Sequence, residues 1–184
     1  MFLRTGGRVD EAAPEVKRAA EIAERTGDRE LAGLTLVHRA LQAHEAGDVT
    51  AAFALFRKAE VEIFPDGPDW LKNQVFEGLG MVTEALGLHD EALDFMLRRA
   101  DLSRQTGNAW NESSARSSAA QVAATLVAAG HMDHATLRRL VDEAIAAARR
   151  ARNLAAEAEA RRLRMLDPAL CNTDRIAEGE WALA

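Results

Sequence analysis

Apolar residues recur three and four apart through most of the chain, and short polar breaks centred on glycine interrupt them at regular intervals. Leu34, Val37 and Leu41 form one such stripe, and Val75, Leu79, Val82 and Leu86 another, the spacing of one face of an α-helix. The breaks fall at Gly7, Gly27, Gly47, Gly67, Gly87 and Gly107, 20 residues apart, and Gly130 follows after 23. Glycine suits the left-handed position just past a helix end. Most of these glycines precede a helix-starting residue: Asp28, Asp48 and Asn108 directly, Asp90 and Asp133 slightly later. The pattern predicts helices over 9–26, 29–46, 49–64, 69–86, 89–106, 109–129 and 134–166, about seven in all. Asp167-Pro168 stops the last one, and a short C-terminal helix is expected over 173–183.

Alternate segments resemble each other, so the underlying period is 40. Gly7–Asp28 set against Gly87–Asn108 shares eight identities in 22, among them Asp10-Glu11-Ala12 with Asp90-Glu91-Ala92. The intermediate copy keeps Gly47, Ala52, Lys58 and Gly67. Evenly sized helices alone fit an ordinary bundle. Repeated identities at a fixed period point instead to stacked helical hairpins, in which each unit buries its face against its neighbours.

Composition agrees with an all-α chain. Of 184 residues 48% are apolar, and 38 are alanine, against 6 Phe, 3 Trp and no Tyr. Alanine is the strongest helix former, and β-branched and aromatic residues are too scarce for a sheet. A net charge of −6 argues against a dedicated nucleic-acid binder, whose footprint is a basic face. The single cysteine, Cys171, excludes an internal disulfide and a Cys-based zinc cluster. The N-terminal residues lack the apolar run of a signal peptide, and the longest uncharged stretch, Ser117 to Met132, is too short and too polar to span a bilayer. A cytoplasmic, soluble protein is expected.

The repeats resemble tetratricopeptide repeats, whose frame is W-x2-L-G-x2-Y, a turn glycine, then A-x3-F and a further small residue. Phe76, Leu79, Gly80, Thr83, Gly87, Ala92 and Met96 occupy that frame in order. One repeat earlier it holds Leu36, Arg39, Ala40, Ala43, Gly47, Ala52, Phe56 and Ala59; one later, Ala119, Val122, Ala123, Leu126, Gly130 and Ala135. The period of 40 exceeds the usual 34 and is similar to the longer-helix varieties of bacterial regulators. The tyrosine position is never tyrosine, and Arg39 stands where leucine belongs. The resemblance implies a right-handed α-solenoid of antiparallel helical hairpins over residues 1–130. Small residues at Ala40, Ala52, Gly80 and Ala92 would let helices approach closely. Residues 9–26 match the second helix of a repeat, so either the chain continues upstream or this end packs on a second copy.

In such arrays the first helix of each hairpin lines a concave groove that takes a peptide. The frame places His38, Leu41 and His44, with Leu34, on that side, then Gln74, Glu77, Met81 and Glu84, then Ser117, Gln121 and Ala124. An acidic, partly apolar groove suits a peptide with basic and apolar residues. Equally, Leu34, Leu41 and Met81 are suited to the core between repeats. Residues 134–166 read as one long capping or connector helix, with a seam at Leu137, Val141, Ala144, Ala148, Ala151, Ala155 and Ala158. Its clusters Arg149, Arg150, Arg152 and Arg161, Arg162, Arg164 read as a salt-bridged face more readily than as a nucleic-acid contact. Residues 167–175 are loosely similar to the junction that precedes GGDEF-type cyclase domains, which implies a signalling module as the second function class. A homodimer through a solenoid end or the C-terminal helix is a further expectation.

Catalytic chemistry is poorly provided for. No GxGxxG follows a strand pattern, and neither GxxxxGK[ST] nor GxSxG occurs. His131, Asp133 and His134 bracket a helix start and read as capping and surface residues rather than a metal site. His38 and His44, six apart, do not share a helical face. Cys171 has no evident histidine partner. No enzyme activity, metal or cofactor is expected.

Overall fold

The computed structural model describes residues 9–64 and 66–166. These residues form eight α-helices and no strand: α1 Val9–Thr26, α2 Arg29–Glu45, α3 Val49–Ile63, α4 Asp69–Ala85, α5 His89–Gln105, α6 Ala109–Ala128, α7 His134–Ala151 and α8 Leu154–Leu166. The fold is all-α, as the periodicity predicts. The first six helices end within one residue of their expected limits. Cys171, the expected helix over 173–183 and the junction-like segment 167–175 lie outside the described residues.

The left-handed turns explain that agreement. Gly27, Gly47, Gly87, Gly107 and Gly130 all carry φ between 69° and 83°. Beyond four of the turns a side chain closes the next helix. Asp28, Asp48, Asn108 and Asp133 accept the backbone N–H of Leu31, Ala51, Asn111 and Thr136. Asp90 does not cap: Leu88 precedes α5 with no side-chain cap bond, and Asp90 sits in the first turn, where its charge faces the positive helix end. Gly67 also departs from the rule. Its N–H bonds the Ile63 carbonyl at 2.6 Å, and a Cβ there would lie 2.6 Å from that same oxygen.

Two compact units divide the chain between Leu86 and Gly87. In the first, α2 packs on α1, α3 and α4, and α3 packs on α4. Its core includes Val37, Ala40, Ala52, Phe56, Ile63, Leu71, Val75, Leu79 and Val82, each at most 2% exposed. Gly78 lets the Phe56 ring pack against the α4 backbone, for a Cβ there would come 2.2 Å from that ring, and Gly33 meets Ile63 in the same way. Arg39, at the leucine position of the repeat frame, is exposed and lines an open cleft of about 420 Å³ with Lys58.

In the second unit α6 packs on α5, α7 and α8, and α7 packs on α8. Ala120, Ala123, Leu137, Leu140, Val141, Ala144, Ile145, Ala160 and Leu163 form one buried cluster. Here the structure corrects the expected single helix over 134–166. Arg152 takes φ 52°, ψ 36° and ends α7; Asn153 then accepts the N–H of Ala156 and opens α8. Arg152-Asn153 therefore stands where Gly27-Asp28, Gly47-Asp48 and Gly107-Asn108 stand elsewhere. The left-handed residue shifts the register. The seam persists through Ala148, but Ala155 and Ala158 are exposed, and Ala156, Ala160 and Leu163 are buried in their place. α8 packs back on α6 and α7.

Candidate interaction surface

The positions selected by the repeat frame divide between the units. In the first, α2 contributes His38, exposed, and Leu34, Leu41 and His44, half-buried; α4 contributes Gln74, Glu77 and Met81, half-buried, and Glu84, exposed. The two helices pack on one another, so both rows lie on neighbouring elements. Each of these residues keeps part of its surface exposed. Two polar atoms among them are enclosed without a hydrogen-bond partner, His44 Nδ1 and Gln74 Oε1. A buried polar atom left unpaired in this way lacks the compensation that folding normally provides.

In the second unit the same frame leads to a different outcome. Ser117 is only 6% exposed, and its hydroxyl faces the Ala156 carbonyl at 3.5 Å. Gln121 lies beside Glu159 of α8 and is half-buried, while Ala124 is half-buried and packs against the buried cluster. Ser117 is therefore a packing residue under α8. Of the repeat positions, Ala52 and Ala92 are completely buried and Gly80 is buried, while Gly47, Gly87 and Gly130 make the turns.

The charges of the second unit are organised as pairs. Glu112, 5% exposed, accepts from Arg116 Nε at 3.1 Å and from Arg150 at 3.2 Å. Arg116 reaches on to Glu143 of α7 at 2.7 Å. Glu157, 7% exposed, accepts from Arg149 at 2.8 Å and Arg161 at 2.9 Å. Arg164 pairs with Asp142, and Arg162 with Glu159, whose carboxyl that hydrogen bond holds below its ordinary range. Five of the six clustered arginines thus meet carboxylates, and Arg152 is exposed at the turn. The Asp133 carboxylate takes both the N–H and the hydroxyl of Thr136, which lowers its pKa. Among the described residues no group of three or more His, Cys, Asp or Glu side chains could hold a metal ion. No described helix is long and apolar enough to cross a membrane.

Three features carry no signal in the periodicity of the sequence. Trp70 and Trp110, 40 residues apart at the second position of α4 and α6, are about half exposed, at 48% and 50%. Val61 is 72% exposed on α3. The break at Arg152 was concealed by the missing glycine, although Asn153 carried the capping signal.

The crystal structure of BtubC (BKLC) from P. vanneervenii matches this architecture with a TM-score of 0.69 at 19% identity. The match covers 96% of this chain and 71% of that one. The likeness is one of fold. No family model matches the chain, and no curated protein was found similar to it.

Proposed function

We propose that this chain is a non-catalytic protein–protein interaction module of tetratricopeptide-like build, which holds a partner segment across α2 and α4. The observation that carries the reading is the surface itself: part-apolar, part-acidic rows on two adjacent helices that pack on one another. Leu41 and Met81 offer apolar contact, and Glu77 and Glu84 favour a segment with basic residues. The rows are built on helices, so recognition needs little backbone change.

The test is a fluorescence-anisotropy titration with labelled peptides that alternate basic and apolar residues, beside acidic versions of the same length. The basic set should bind, and Glu77→Arg with Glu84→Arg should abolish that binding while far-UV helicity stays unchanged. Equal binding of both sets, or an indifferent double variant, refutes the surface. A sensory module relaying binding through a projecting C-terminal helix, in the manner of a cyclase or transcriptional regulator, is the second reading. In the bent form α8 returns onto α6, and the first reading requires no more than that.

A further inference from the structure

The chain between α7 and α8 is only Arg152 and Asn153, and strong helix formers flank it on both sides. From His134 to Leu166 there is no glycine and no proline. If Arg152 moved from φ 52° into the right-handed region, nothing in the covalent chain would stop one helix running through. The row Leu137, Val141, Ala144, Ala148 would then continue in phase at Ala151, Ala155 and Ala158, the last two exposed in the bent form.

The hold on α8 is also of an exchangeable kind. Asn153 Nδ2 donates to Ser113 Oγ at 2.9 Å, Ser117 faces the Ala156 carbonyl, Arg149 bonds Glu157, and Arg164 pairs with Asp142. The one buried apolar side chain of α8 larger than alanine is Leu163, while Leu154 and Leu166 are 70% and 64% exposed. Straightening would carry α8 off its own α6 and bare the alanine-lined face around Ala120 and Ala144, together with Ile145. The segment that fits that face is α8 of another copy, since Ala156, Ala160, Leu163 and Arg164 would meet the same Ser117, Ala120, Ala144 and Asp142. A short, strained hinge between a helix and its docking surface is the arrangement from which segment exchange arises.

We infer that two copies of this protein form a dimer by exchanging α8 about a hinge at Arg152, each α8 seated on the α6–α7 surface of the other. This inference is independent of the peptide surface on α2 and α4.

The test combines sedimentation velocity over a wide concentration range with double electron–electron resonance on the full chain. Spin labels are placed at Ala135→Cys and Ala158→Cys in a Cys171→Ser background, and diluted with unlabelled protein so that only distances within one chain are read. Arg164 beside Asp142 shows that α8 folds back along α7, so the monomer gives a short distance. The exchanged dimer gives about 35 Å, 23 residues of straight helix at about 1.5 Å each. Asn153→Ala, which removes the cap and the Ser113 bond, should raise the dimer fraction. Arg152→Gly, which relaxes the turn and weakens the straight helix, should raise the dimer Kd about fivefold or more. A dimer that keeps only the short distance overturns the inference. So does a chain that stays monomeric at every concentration in both the parent and Asn153→Ala forms, or an Arg152→Gly variant that dimerises more tightly.

Discussion

Arg152 is the one non-glycine residue with positive φ among the described residues, at 52°. A left-handed backbone places Cβ close to the following carbonyl oxygen, at about 1–2 kcal/mol for an L-residue. Arg152→Gly should therefore stabilise the second unit by about 1 kcal/mol in urea unfolding, even though it removes a side chain. Gly78 presents the opposite case. A methyl group there would meet the Phe56 ring at 2.2 Å, and Phe56 is completely buried. Overpacking of about 1–3 kcal/mol outweighs the helix propensity gained, so Gly78→Ala should lower the midpoint of thermal unfolding. In a Phe56→Leu background, where space opens, the same change should cost less, and a double-mutant cycle measures the difference.

At the scale of elements, the ends of α7 are governed by Asp133 and by the Arg152-Asn153 turn. The Asp133 carboxyl has a folded-state pKa below its unfolded value because the Thr136 N–H and hydroxyl bond the charged form. A depressed carboxyl pKa stabilises the fold above the unfolded value and loses that contribution as pH falls through the folded one. The first turn of α7 should thus loosen below about pH 4, read as faster amide exchange at Thr136. Asp133→Asn, an equally good cap that does not titrate, should flatten the profile. At the other end, Asn153 is 3% exposed and serves Ala156 N–H and Ser113 at once. Asn153→Ala should destabilise the second unit by about 2 kcal/mol, combining a lost cap with a buried hydroxyl left short of a donor.

Across the whole chain, each unit carries its own core and its own exposed tryptophan, Trp70 in the first and Trp110 in the second. The second unit carries ion pairs that bridge one helix to another, among Asp101, Glu112, Arg116, Glu143, Arg149, Arg150 and Glu157. Added salt screens such pairs while it leaves apolar burial intact. With Trp181→Phe throughout, Trp70→Phe leaves a reporter of the second unit and Trp110→Phe one of the first. Raising the salt concentration should move the urea midpoint of the Trp110 signal further down than that of Trp70. Equal shifts would show that the pairs contribute little.

Local chemistry decides where helices start and stop, and so the limits of six helices were legible directly. Glycine relieves the left-handed turn, a carboxylate or amide closes the next helix, and both effects act within four residues. The 40-residue period was legible for the same reason, since each hairpin repeats the same local solution. The α7–α8 break was not, because Arg152 is held left-handed by what surrounds it: the Ser113 bond to Asn153 and the seating of Ala156, Ala160 and Leu163. Periodicity alone ranks a straight helix above that strained turn. Nor could a helical frame distinguish Ser117, buried beneath α8, from Met81, part-exposed on α4, since which helix covers a face is settled by long-range packing. The sequence by itself determined the helices, their turns and their repeat, all of which depend on neighbours along the chain. Only the tertiary structure decided which faces stay open and where a favourable helix is made to bend, because those depend on contacts between residues about 40 apart.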